Sequence, residues 1–186
     1  MDAWIWIVIA VIVVIAIALA AAAWSRKRRS EQLRERFGPE YDRTVERADD
    51  RRDAERDLRQ REERREQFDI QPLSPAARQR YADEWQNVQA KFVDDPESAV
   101  READRLVQQA MGERGYPVDD DFEQRADDLS VDHPEVVESF REGHGLWQRY
   151  DRGEGSTEDL RQSMVSFRRL FEVLLVEEPV GEEVRG

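Results

Sequence analysis

The chain opens with an unbroken apolar block. From Ala3 to Trp24 no side chain is charged, and the only polar groups are the indoles of Trp4, Trp6 and Trp24. Twenty-two residues at about 1.5 Å rise make roughly 33 Å of helix, enough for a hydrocarbon core of about 30 Å. In lipid a lone segment satisfies its own backbone only as a helix. The pattern therefore predicts a transmembrane anchor over residues 1–25, with Trp4 and Trp6 at one headgroup level and Trp24 at the other. Ala18-Leu19-Ala20 resembles a signal-peptidase site, but the run is too long for a signal h-region and no basic residue precedes it, so the anchor is expected to stay.

Arg26, Lys27, Arg28 and Arg29 come directly after the block, opposed by Asp2 before it. The positive-inside rule then puts the N-terminus outside and the rest of the chain in the cytoplasm. The cluster is first a topology signal and second a contact for anionic headgroups, worth about 1 kcal/mol per residue near the surface.

Residues 26–68 read as this basic juxtamembrane cluster and a charged helical stalk. Gly38-Pro39 suits a helix stop followed by a new start. From Glu40 to Gln67 there is no glycine or proline and scarcely a large apolar residue. Leu33, Phe37, Tyr41, Val45 and Ala48 begin a stripe, but Arg51, Arg52, Glu55 and Arg56 occupy its next positions, so no heptad seam is sustained. The expectation is one solvated helix of about 42 Å from Glu40 to Gln67, holding the C-terminal half of the chain away from the bilayer. A weak antiparallel or homodimeric coiled coil is the alternative, and the oligomeric state stays open.

After a linker at 69–73 the periodicity becomes strongly helical. Ser74-Pro75 and Asp95-Pro96 are N-cap and first-turn pairs. Ala77, Tyr81, Trp85, Val88 and Phe92 form one face; Ala99, Ala103, Leu106, Val107, Ala110 and Met111 form the next. A short helix begins at Phe122. Asp132 with Glu135 has capping-box spacing and opens a helix that turns Val136, Phe140, His144 and Trp147 inward. Ser156 with Asp159 opens the last, whose apolar side runs from Leu160 to Leu175. No segment alternates with period two, which argues against strands. The fold class is all-α: a transmembrane helix, a charged stalk and a small cytosolic helical bundle over 74–176, ending in an acidic disordered tail at 177–186.

Charge narrows the choice of partners. The 186 residues carry a formal charge of −13, and residues 69–186 hold 28 acidic against 14 basic side chains. Such a surface disfavours nucleic acid and favours a basic protein partner, while the anchor contacts membrane lipids. The absence of cysteine excludes disulfides, thiolate metal sites and a cysteine nucleophile.

Candidate chemistry is sparse. His144, between Gly143 and Gly145, is a weak sensor candidate. His133 before Pro134 reads as turn chemistry. Asp119-Asp120-Asp121 fails the calcium-loop pattern at its sixth and twelfth positions and reads as an acidic helix start. Gly153-Glu154-Gly155-Ser156 lacks the lysine of a phosphate loop. No catalytic residue, cofactor or metal ligand is assigned. The expected function is a membrane-anchored interaction or scaffold protein rather than an enzyme, with a tethered ligand sensor or an unrecognised enzyme as alternatives.

Arg36-Phe37-Gly38-Pro39-Glu40-Tyr41, Gln67-Phe68-Asp69-Ile70, Pro72-Leu73-Ser74, Arg114-Gly115-Tyr116-Pro117 and Leu129-Ser130-Val131-Asp132-His133-Pro134 carry a resemblance. With them the sequence resembles an uncharacterised group of single-pass actinobacterial membrane proteins. The resemblance implies the anchor-and-domain architecture and brings no activity, cofactor or site residue with it.

Overall fold

The computed structural model describes residues 3–119 and 121–176, without the side chains of residues 3, 5–11, 22, 23 and 26. The expected tail at 177–186 lies outside the described residues. Within them the chain is all-helical: α1 (Ala3–Phe37), α2 (Pro39–Arg47), α3 (Arg51–Arg65), α4 (Pro75–Lys91), α5 (Pro96–Arg114), α6 (Phe122–Asp132), α7 (Pro134–Asp151) and α8 (Thr157–Val176). Among the described residues no helix is long and apolar enough to cross a membrane, so of the expected architecture the all-helical class stands and the transmembrane anchor over residues 1–25 is not shown. The apolar block runs through the first two-thirds of α1, where Ile12, Val14 and Leu19 are more than half exposed.

Helix starts fall where side chains can take orphan backbone N–H groups. Ser74 Oγ accepts from Ala77 N, and Asp95 and Asp121 do the same for α5 and α6. Ser156 and Asp159 form a reciprocal capping box at α8. The box expected from Asp132 and Glu135 does not form. His133 caps α7 without a side-chain bond, because Asp132 turns away to accept from Tyr116 Oη at 2.7 Å and to pair with Arg65.

The main core joins α4, α5, α7 and α8. Trp85 stacks on Phe171 at 4.5 Å between ring centroids, and Phe140 meets Phe167 edge-on. Ile70 and Leu73 of the 69–73 segment are buried in it, so this stretch is a packed strap as well as a connection. Gly115 ends α5 at φ 99° with its Cα against the Asp69 carbonyl, a place where a side chain would collide. Gly143 lets α7 approach α8: a Cβ there would lie 2.5 Å from Ser166 Cβ, and Ser163 Oγ donates to Gly143 O at 2.8 Å. Trp147, expected inside, is half-buried, with the Arg101 guanidinium over its ring.

The single solvated helix expected from Glu40 to Gln67 is instead two helices. Ala48 is extended (φ −84°, ψ 151°), and Asp50 caps α3 by accepting from Arg52 N. The break has a physical cause. Leu33, Phe37 and Tyr41 of α1 and α2 need cover, and Leu58 of α3 and Val131 of α6 supply it in a second, smaller core. Ala54, on the same side of α3 as Leu58, is buried too. Ser30 bonds Glu55, and Arg36 pairs with Glu62. The two contacts step forward together, so α3 runs parallel to α1 after α2 has doubled back.

Candidate functional site

Where the α1–α3 hairpins meet the bundle, charge is buried. The Glu40 carboxylate, 2% exposed, accepts from Arg141 Nη1 of α7 at 2.8 and 2.9 Å and from Arg61 Nη1 of α3 at 2.9 Å. Arg43 adds a longer contact at 3.4 Å. Arg61 also reaches Asp57 at 2.6 Å and Asp127 at 2.8 Å. Arg141 pairs with Asp127 and with Glu123. On its outer side this network borders a cleft of about 420 Å³ lined by Arg43, Arg47, Asp53 and Asp57 among others. Burial pushes the Asp127 carboxyl above its ordinary value, although Arg61 and Arg141 pull the other way. The carboxylates at the centre face guanidinium groups, and the cleft is lined by neither histidine nor a hydroxyl nucleophile other than Thr44, whose Oγ1 is bonded to Glu40 O. Chemically this is a clasp.

A second buried polar group lies beside it. Tyr116 Oη donates to Asp132 and lies 3.3 Å from His133 Nε2. Burial and the adjacent carboxylate push the Tyr116 hydroxyl pKa up, and burial brings His133 down to about 4. His133, read from sequence as turn chemistry, is thus a buried neutral ring at the α6–α7 corner. Arg64 pairs with the buried Asp128 at 2.9 Å, adding a third tie between α3 and α6.

His144 is half-buried. Its ring stacks on Phe122, 3.6 Å between centroids and 5° from parallel, and Nε2 lies 3.0 Å from Gln148 Nε2. Burial, helped by the charge of Arg125, lowers its pKa to about 4. Phe122 covers one face of the ring, so the candidate sensor stands in a stack. Asp121 caps α6, as an acidic helix start should, and Asp120 lies outside the described residues. Among the described residues no group of three or more His, Asp or Glu side chains is placed to hold a metal ion.

Of the basic cluster at 26–29, Lys27, Arg28 and Arg29 are exposed, Lys27 facing Glu31 at 3.9 Å. Trp4 and Trp24 are 62% and 70% exposed; the side chains of Trp6 and Arg26 lie outside the described residues. The cluster opens onto a groove of about 910 Å³ between α1 and α3, whose walls carry seven basic and three acidic side chains. Neither the Glu40 clasp nor this groove is visible in the sequence. Each joins residues far apart in the chain, and neither leaves a periodic trace.

No family model matches the chain, and no curated protein or solved structure is significantly similar to it.

Proposed function

We propose that the protein is a single-pass membrane-anchored interaction module that presents an acidic helical body to the cytoplasm. The observation that carries the reading is the uncharged run from Ala3 to Trp24 closed by Arg26, Lys27, Arg28 and Arg29. Its support in the fold is that Ile12, Val14, Ile17 and Leu19 have no protein cover and are 60–66% exposed. An apolar surface of that extent needs lipid or another chain against it.

The body offers a surface for a basic protein partner. Glu135, Glu138 and Glu142 are exposed along one face of α7, beside a shallow cleft with Arg169. Their spacing of three and four residues aligns three carboxylates over about 10 Å. The same field disfavours nucleic acid.

The deciding experiment is protease protection of spheroplasts carrying a tag after Gly186, combined with alkaline carbonate extraction. The proposal expects a carbonate-resistant chain whose tag is digested only after lysis. A chain released by carbonate, or a tag cut from outside, would overturn the anchor or its orientation respectively.

A further inference from the structure

The fold brings a second set of arginines to the level at which α1 would leave the bilayer. Ser30 Oγ donates to Glu55 at 2.7 Å, and Arg36 pairs with Glu62 at 3.1 Å. Carrying this parallel register back along both helices sets Arg51 and Arg52 beside residues 26 and 27. That is two or three residues past Trp24, or about 4 Å along the axis. A headgroup layer extends about 5–7 Å beyond the hydrocarbon. Arg56 stands roughly level with Glu31, about 10 Å past Trp24 and within reach of the same layer by its long side chain, and Arg59, level with Arg34, lines the groove about 15 Å past Trp24.

The groove between the two helices is lined by Lys27, Arg29, Arg51, Arg52, Arg56 and Arg59, with Arg34 at its far end. Its acidic members are already engaged. Asp50 caps α3 through Arg52 N, and Glu55 accepts from Ser30, Tyr41 and Arg51. Glu31 faces Lys27. Asp53, just outside the groove, pairs with Arg56 at 2.8 Å. Arg29 and Arg52 are exposed and make no ion pair among the described residues.

We infer that this groove binds the phosphate groups of anionic lipids beside the anchor, with Arg52, Arg56 and Arg59 of α3 forming a second basic rung next to residues 26–29. The inference rests on the membrane reading above and deepens it. One helix presents basic side chains around its own axis; two parallel helices enclose a phosphate from two sides, and guanidinium forks suit its oxygens. The net negative charge of residues 69–186 is repelled by an anionic leaflet wherever it comes within about a Debye length, and a second basic rung offsets that repulsion.

The test uses the full chain reconstituted in phosphatidylcholine vesicles. Spin-labelled phosphatidylglycerol and spin-labelled phosphatidylcholine are compared by the motionally restricted fraction each shows in electron paramagnetic resonance. The wild type should prefer the anionic lipid, and Arg52→Gln/Arg56→Gln/Arg59→Gln should lower that preference about fivefold or more, since each basic residue near the surface is worth about 1 kcal/mol. The Arg→Lys triple variant should retain most of it, and about 1 M salt should abolish it. A Gln triple variant that keeps the full preference overturns the inference, since the cluster at 26–29 would then suffice. Should its circular dichroism show unfolding, Arg52→Gln alone decides by the same criterion. Carbonate extraction of the same vesicles separates the two readings: a released chain overturns both, and a retained chain without lipid preference overturns this one alone.

Discussion

Removing the charge of Glu40 tests whether the clasp holds α1–α3 to the bundle. In Glu40→Gln the side chain keeps its shape, but Arg141 and Arg61, 6% and 11% exposed at their side chains, lose the carboxylate between them. Breaking a buried pair from one side costs about 3–5 kcal/mol, because the remaining charge stays desolvated. Here Asp127 still faces both guanidiniums and Asp57 still holds Arg61, which sets the expectation at the lower end, about 3 kcal/mol. Arg141→Met alone should cost as much, since Glu40 keeps only Arg61 and the distant Arg43. The double variant should cost less than the sum by about 1–3 kcal/mol. The assay is urea denaturation of the full chain in detergent micelles, followed by hydrogen exchange of α2 and α3. Exchange should rise first in α2, whose tie to α7 is the one removed. Losses below about 1 kcal/mol in both single variants, or strict additivity in the double, would refute a buried clasp and leave an ordinary surface ion pair.

Further perturbations separate the interior from the rim. Trp85→Ala should destabilise by about 3–5 kcal/mol and Trp147→Ala by markedly less, since only the first indole is enclosed; equal losses in urea denaturation would contradict that difference. Gly143→Ala forces a methyl against Ser166 and should cost about 1–3 kcal/mol in a thermal melt, whereas an unchanged melt would mean that α8 yields freely. His133 and His144 both titrate near pH 4 in the folded chain and near 6.5 when unfolded. The unfolded chain therefore binds more protons between these values, and the histidine contribution to stability is complete above about pH 6.5 and is lost as pH falls toward 4. Proton NMR of the imidazoles checks the premise directly, and a midpoint near 6.5 for either ring would contradict its burial.

The features legible in the chain are local ones. Ser74, Asp95 and Ser156 announce helix starts because a cap needs only residues within one turn, and the apolar faces of α4, α5 and α8 repeat at the helical period. Leu58 and Ala54 give no such signal, because two apolar residues among arginines do not make a stripe. Val131, which packs with Leu58, lies some seventy residues on, and that contact depends on α2 reversing the chain. Glu40 and Arg141 are separated by 101 positions. In a sequence with 42 acidic and 29 basic residues, nothing in either neighbourhood selects that pair from the others. Asp132 misleads for a related reason: its capping spacing to Glu135 is real, but Tyr116 and Arg65 offer a carboxylate better partners than a solvated helix end. Periodicity puts His144 on the correct side of its helix, while the ring stacked on it belongs to a helix whose packing has no sequence signature.

Because α1 continues without interruption from Ala3 to Phe37 and is then bonded to α3 and, through α2, to α7, the chain has no swivel between its apolar half and its acidic body. A glycine-rich connection would let the body tumble independently. This arrangement instead behaves as a crank: torque applied to the shaft before residue 25 emerges as rotation of the whole body about the same axis. If two such shafts pack together or turn on each other, their acidic faces must therefore change orientation in concert.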